Sequence, residues 1–188
     1  VSFSCGIMVL TFILLPLVEM LTAPSGAMLR ETLQDRNVIR SIWLSIYTAA
    51  SAAGISFLVG TPLAYLLARS QFRGKHLIES VIDLPIVIPH PVVGIAILGV
   101  AGKNHWLGQY LQEFGIRIMG STTGIITVLT FVGMPFYINA LKAGFEAISP
   151  RLENVSRSLG ASMRSTFVRV TFPLAWRSVL VGLIMCCA

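Results

Sequence analysis

The residues best placed to do chemistry gather in one polar stretch, Ser149 to Pro173, of a chain that is 55% hydrophobic and only 12% charged. Arg151, Glu153, Arg157, Arg164 and Arg169 fall there among Asn154, Ser156, Ser158 and Ser162. No nucleophile, base and orienting group stand together as a catalytic set. The chemistry available is recognition of a partner by ion pairs, hydrogen bonds and apolar contact. Leu152, Val155 and Leu159 share one face at helical spacing, with Arg151, Asn154, Arg157 and Ser158 elsewhere around the helix. Ser149 is suited to cap that helix, and Pro150 takes its first position, where a missing N–H costs nothing. Gly160 suits the left-handed conformation that ends a helix. Met163, Phe167 and Val170 repeat the apolar spacing, and Pro173 closes the segment. The pattern describes two short amphipathic helices hinged at Gly160, outside the membrane and docked on another molecule.

A second candidate is His90, which stands between Pro89 and Pro91 in the apolar run Val81 to Ala101. With Pro85, these prolines remove backbone donors and break or kink a helix. Lipid tolerates that only where neighbouring protein or water satisfies the freed carbonyls. The run is therefore expected inside a bundle or along a cavity. A lone histidine in such a place reads first as hydrogen-bonded structure.

Other chemistries are excluded by spacing. Gly74-Lys75 is followed by His76 and Gly102-Lys103 by Asn104, so neither is a phosphate-binding loop. No HExxH, nucleophile elbow or paired carboxylates occur. Cys5, Cys186 and Cys187 lack disulfide or metal-ligand spacing. The chain is not expected to be an enzyme. Its net charge of +6 could suggest nucleic acid, but no basic cluster sits on a soluble domain. Asn154-Val155-Ser156 matches a glycosylation sequon by chance.

The elements that must position these residues are membrane helices. Soluble domains carry about 25% charged residues, twice the share here, and apolar runs of roughly 18 or more residues recur. Spans are expected at about Phe3–Leu21, Ile42–Ala68, Val81–Ala101 and Gly124–Leu141. A fifth begins near Leu174 and stops at Ala188, so the chain reads as an incomplete bundle. Glu19, near the end of the first span, suits the membrane interface. Thr22 to Arg40 reads as a loop, with or without a short helix lying on the membrane surface, and Lys103 to Thr123 as an interfacial helix anchored by Trp106 and Tyr110. Ala52, Ser56 and Gly60 recur every four residues and form a small-residue ridge for close helix packing. If the Arg69–His76 loop and the docking segment are cytoplasmic, nine of the 14 Lys and Arg lie inside. The positive-inside rule favours that topology.

From Gly160 to Pro173 the segment resembles the EAA loop of ABC importer permeases: EAA, three residues, Gly, nine residues, Ile-x-Leu-Pro. Val170, Phe172 and Pro173 take the last three named positions, and Arg157, Leu159, Ala161 and Ser162 match residues common around the glycine. Asn154, Val155 and Ser156 stand where Glu-Ala-Ala would be, and Glu153 is one residue early. The grip is then expected to rest on shape and apolar contact more than on a carboxylate. Asp83–Ala96 and Phe131–Ala147 look like the sulfate/molybdate/tungstate branch of those permeases, and Pro-His-Pro looks most like its molybdate/tungstate members.

The resemblance implies an all-α, polytopic transmembrane bundle of the type I importer fold, with about six helices when complete and about five here. Residues 1–188 would form a single permease domain in the cell membrane, with a cytoplasmic coupling segment, 149–173. Implied partners are a second copy of the chain, two cytoplasmic ABC ATPase subunits and an extracytoplasmic oxyanion-binding protein, besides membrane lipid. ATP and Mg would sit on the ATPase, and no cofactor on this chain. The implied coupling residues are Arg151, Glu153, Asn154, Ser156, Arg157, Leu159, Gly160, Ala161, Ser162 and Pro173. Pro85, Pro89, His90, Pro91 and Gly94 would line the anion pathway. Selection of molybdate or tungstate would rest on the binding protein, with sulfate or thiosulfate as the alternative substrate. An ion-gradient-driven transporter also suits broken helices, but the chain lacks internal repeats. A membrane-embedded enzyme lacks a catalytic group.

Overall fold

Every regular element among the described residues is helical: α1 Ser2–Thr22, α2 Arg36–Arg69, α3 Lys75–Val87, α4 His90–Ala101, α5 Trp106–Glu113, α6 Thr122–Ala147, α7 Pro150–Ser158, α8 Met163–Thr166, a π-helical turn Phe167–Thr171, and α9 Phe172–Cys187. The computed structural model describes residues 2–22, 32, 34–102, 105–113, 115 and 117–187, without the side chains of 2–5, 9, 21, 22, 90 and 106. Two compact units divide the chain, Val1–Ser45 and Ile46–Ala188.

In the first unit, α1 covers the first expected span, and Leu10, Phe12, Leu14 and Val18 are exposed, as suits a lipid-facing helix. Asp35 starts α2: its Oδ1 accepts the Asn37 N–H at 2.8 Å, and its carbonyl accepts the Ile39 N–H at 3.1 Å. The helix therefore begins at Arg36, ahead of the expected Ile42, and takes in the end of the expected loop. Most of that loop, including Pro24, Ser25 and Gly26, lies outside the described residues. At 34 residues α2 is roughly 50 Å long, beyond the hydrocarbon thickness of about 30 Å. It must project from the membrane, and arginines stand at both ends, Arg36 and Arg69.

The second unit has its core between α2, α6 and the helix Met163–Cys187. Leu67, Tyr137, Ile138, Leu141, Phe145 and Val179 are its most deeply buried large apolar members. The small-residue ridge is buried as expected. Ser56 accepts a hydrogen bond from the Cys186 thiol at 3.3 Å. Gly60 lies so close to the Tyr137 ring that a Cβ there would stand 2.7 Å from Cδ1. Gly182 flanks the same ring through Cδ2, and Tyr137 meets Thr61 hydroxyl to hydroxyl at 2.7 Å.

Among the described residues three helices are long and apolar enough to cross a membrane: Arg36–Arg69, Thr122–Ala147 and Met163–Cys187. The third expected span is not one straight helix. Its halves, α3 and α4, meet at 113°. The cause is local: proline drives the residue before it out of the helical region, and Ile88, preceding Pro89, is extended at φ −81°, ψ 128°.

The last span also differs from its expected course. It begins at Met163, ahead of Leu174, and Pro173 does not close the docking segment. Only α7 is a separate amphipathic helix. The turn Phe167–Thr171 is widened, with the Phe172 N–H reaching the Phe167 carbonyl, so Pro173 follows a turn that has already left the α pattern. The widened turn gives the ring room where a regular turn would clash. A helix stands where the interfacial one is expected, α5, with Tyr110 exposed and the Trp106 side chain outside the described residues.

Candidate functional site: the coupling helix

The sequence of α7 sets its two ends. Pro150 occupies the first turn, and Ser149 stands at the cap position without a side-chain cap bond; its carbonyl accepts the Leu152 N–H at 3.1 Å. The C-terminus closes as a Schellman motif. The Ala161 N–H reaches the Ser156 carbonyl at 3.2 Å, and the Gly160 N–H reaches that of Arg157 at 3.0 Å. Gly160 is left-handed at φ 89°. Ser162 then caps α8, with Oγ accepting the Ser165 N–H at 3.2 Å, a role the sequence pattern did not disclose. Since nothing lies within 4 Å of a Cβ built on Gly160, Gly160→Ala is expected to lose only about 1–2 kcal/mol, through backbone strain. Thermal unfolding checks this; an unchanged midpoint would contradict the strain.

The two faces of α7 have opposite characters. Leu152 is 48% exposed, Val155 59% and Leu159 84%, and Met163, at the start of α8, is 62% exposed. This apolar row stays open among the described residues, and Arg151, Asn154, Arg157 and Ser158 flank it, exposed. Ser156, half-buried on the other side, meets Thr166 hydroxyl to hydroxyl at 3.1 Å. Ala161 is half-buried; Pro173 is exposed.

Glu153, which the sequence groups with the coupling residues, is turned inward and 9% exposed. Its Oε1 accepts from Arg69 Nε at 3.0 Å, Arg69 Nη2 at 2.8 Å and Thr171 Oγ1 at 3.0 Å. Its Oε2 accepts from Tyr65 Oη at 3.1 Å. Arg69 Nη2 also donates to the Ile148 carbonyl, at 3.0 Å, where α6 gives way to α7. One carboxylate thus joins α7 to α2 and to the π turn, and its arginine ties in the end of α6. Beneath it the rings of Tyr65, Phe145 and Phe167 pack edge to face or tilted, with centroids 5.0 to 6.0 Å apart. Sequence reasoning missed Tyr65, Arg69 and Thr171. No spacing rule relates Arg69 to a residue 84 positions away.

Of the five pathway candidates, Pro85 is buried on α3, which packs against α6. Pro89 and Pro91 are exposed at the bend, Gly94 is half-buried, and the His90 side chain lies outside the described residues. Polar contacts between α3 and α6 lie elsewhere, from Asn139 Nδ2 to Asp83 Oδ1 at 2.6 Å and from Lys142 to Glu79. Among the described residues no group of three or more His, Cys, Asp or Glu could hold a metal ion.

Fold and site together define a membrane-spanning subunit that holds a short amphipathic helix, α7, by an internal carboxylate and leaves its apolar face exposed. The profile of the family described as "Binding-protein-dependent transport system inner membrane component" matches residues 60–188. The chain belongs to that family, and is a multi-pass inner membrane component. It is 41% identical over 184 residues to the molybdate/tungstate transport system permease protein WtpB of Pyrococcus abyssi, covering 97% of this chain and 69% of the relative. The WtpB protein of Methanocaldococcus jannaschii is 36% identical over 180 residues, 95% of this chain and 69% of that one. The sulfate transport system permease protein CysW of Synechococcus elongatus is 36% identical over 155 residues, 82% of this chain and 54% of that one. The fold is that of an ABC transporter solved by crystallography, a bacterial alginate transporter in complex with an alginate pentasaccharide-bound periplasmic protein. The TM-score is 0.78 at 16% identity, over 98% of this chain and 69% of that one.

Proposed function

We propose that this chain is the permease subunit of an ATP-driven importer of molybdate or tungstate, working as a homodimer with two ATPase subunits and an oxyanion-binding protein. The observation that carries the coupling role is the row Leu152, Val155 and Leu159. It is an exposed apolar face on a helix that an internal carboxylate holds in place, with Met163 exposed at the start of α8. A chain without a phosphate-binding loop needs a partner to hydrolyse ATP, and this face offers one a place to dock. The charge topology puts the face in the cytoplasm, where Arg151 and Arg157 can meet acidic groups around an apolar contact. ATP-driven closure of the ATPase pair would then rock the spans between inward- and outward-open states. Catalysis of hydrolysis, with ATP and Mg, belongs to the ATPase, and choice of anion to the binding protein.

Leu159→Asp places a charge on the most exposed residue of the docking face. It is expected to cut the cognate ATPase retained on the purified permease by more than about tenfold, as loss of an apolar anchor does. Full retention would refute the docking role. The substrate reading rests on the molybdate/tungstate relatives named above. Sulfate is the second reading, favoured by the CysW likeness, and titrating the cognate binding protein with molybdate, tungstate and sulfate separates them.

A further inference from the structure

We propose that Glu153, with Arg69, Tyr65 and Thr171, is the joint through which movement of the coupling helix reaches the membrane spans. The inference rests on the reading of α7 as the ATPase docking helix, and it concerns the opposite face.

Covalently, α7 is joined to α6 by Ile148 and Ser149 and to the last span by residues 159–162. Both connections are single extended or turn segments, which bend more readily than they push. The carboxylate contacts bypass them. Thr171 lies at the end of the π turn, so its bond to Oε1 links α7 to the entry of the last span. Tyr65 and Arg69 stand one helical turn apart on α2 and take the two carboxylate oxygens between them. Arg69 holds the Ile148 carbonyl as well. Four bonds from three donors converge on one side chain within 3.1 Å. Packed rings lie under them, so the joint transmits displacement instead of absorbing it. The π turn has a purpose in this arrangement: an extra residue in the turn re-aims the side chains that follow, and Thr171 is fully buried on the carboxylate. These are positioning residues, since they act through α7 and touch neither nucleotide nor anion.

The test uses the complete importer, with permease, ATPase and cognate binding protein in liposomes, and reads molybdate taken up per ATP hydrolysed. Glu153→Gln keeps the shape and weakens every bond of the joint. Thr171→Val removes only the bond to the last span. The ATPase is expected to stay on both variants, while uptake per ATP falls at least about fivefold for Glu153→Gln and by less for Thr171→Val. A merely structural role would lower the amount of complex and leave this ratio unchanged, and an unchanged ratio in both variants overturns the inference. Loss of the ATPase from Glu153→Gln also overturns it, because Glu153 would then belong to the docking face. If even the wild-type chain retains no ATPase, the functional reading itself fails, and the inference with it.

Discussion

Arg69→Ala is expected to remove about 3–5 kcal/mol of folding stability, because it leaves the Glu153 carboxylate buried without its cation. The two side chains are only 14% and 12% exposed, so the carboxylate would stay largely out of bulk water. After the substitution only the hydroxyls of Tyr65 and Thr171 would remain on the carboxylate, each able to donate one bond. The Ile148 carbonyl would lose its donor at the same time. Glu153→Gln is the milder change, since a neutral amide still accepts hydrogen bonds and needs no counter-charge. The double variant Arg69→Ala/Glu153→Gln should therefore be more stable than Arg69→Ala alone. Thermal unfolding of the detergent-purified permease gives the order. If Arg69→Ala differs from wild type by no more than a surface substitution, about 0.5 kcal/mol, the clasp carries no stability.

Gly60→Leu should cost at the upper end of the 1–3 kcal/mol typical of overpacking, or about 3 kcal/mol. A Cβ at that position would lie 2.7 Å from Tyr137 Cδ1 and 3.3 Å from Ile138 Cγ1. The tyrosine has nowhere to retreat. It is fully buried, its hydroxyl is held by Thr61, and a Cβ at Gly182 would stand 2.9 Å from the other ring edge. The helices themselves would have to separate. Gly54 on the same helix is the control: nothing lies within 4 Å of a Cβ there. Gly54→Leu should be neutral or stabilising, since glycine is roughly 1 kcal/mol poorer than alanine inside a helix. Accumulation of each variant in the membrane and its unfolding midpoint separate the two positions. Equal behaviour would mean that the ridge is not a packing seam.

Much of this arrangement was legible because it depends on neighbours in sequence. The spacing of Leu152, Val155 and Leu159 places them on one face of a helix whatever surrounds it, and they are exposed together. Gly160 ends α7 for a backbone reason that no distant contact changes. The ridge Ala52, Ser56 and Gly60 faces one way because its period matches the helix. Prolines were harder to read, since each offers several outcomes. Pro85 stays inside a helix, Pro89 marks a bend of 113°, and Pro173 is passed by a widened turn. Proline only subtracts a donor and fixes φ, and the neighbouring helices settle which outcome follows.

The sequence by itself determined a helical membrane chain, the amphipathic segment beneath its spans and the face that segment offers, because helical period and apolar content act locally. The tertiary structure alone decided that Glu153 turns inward, away from that face. The carboxylate stands one residue before the acidic position of the motif, and one residue is a rotation of about 100° around a helix. That rotation carries it from the docking side to Arg69, Tyr65 and Thr171. Those partners come from two elements distant in sequence, α2 and the π turn, and only the tertiary fold brings them to one point.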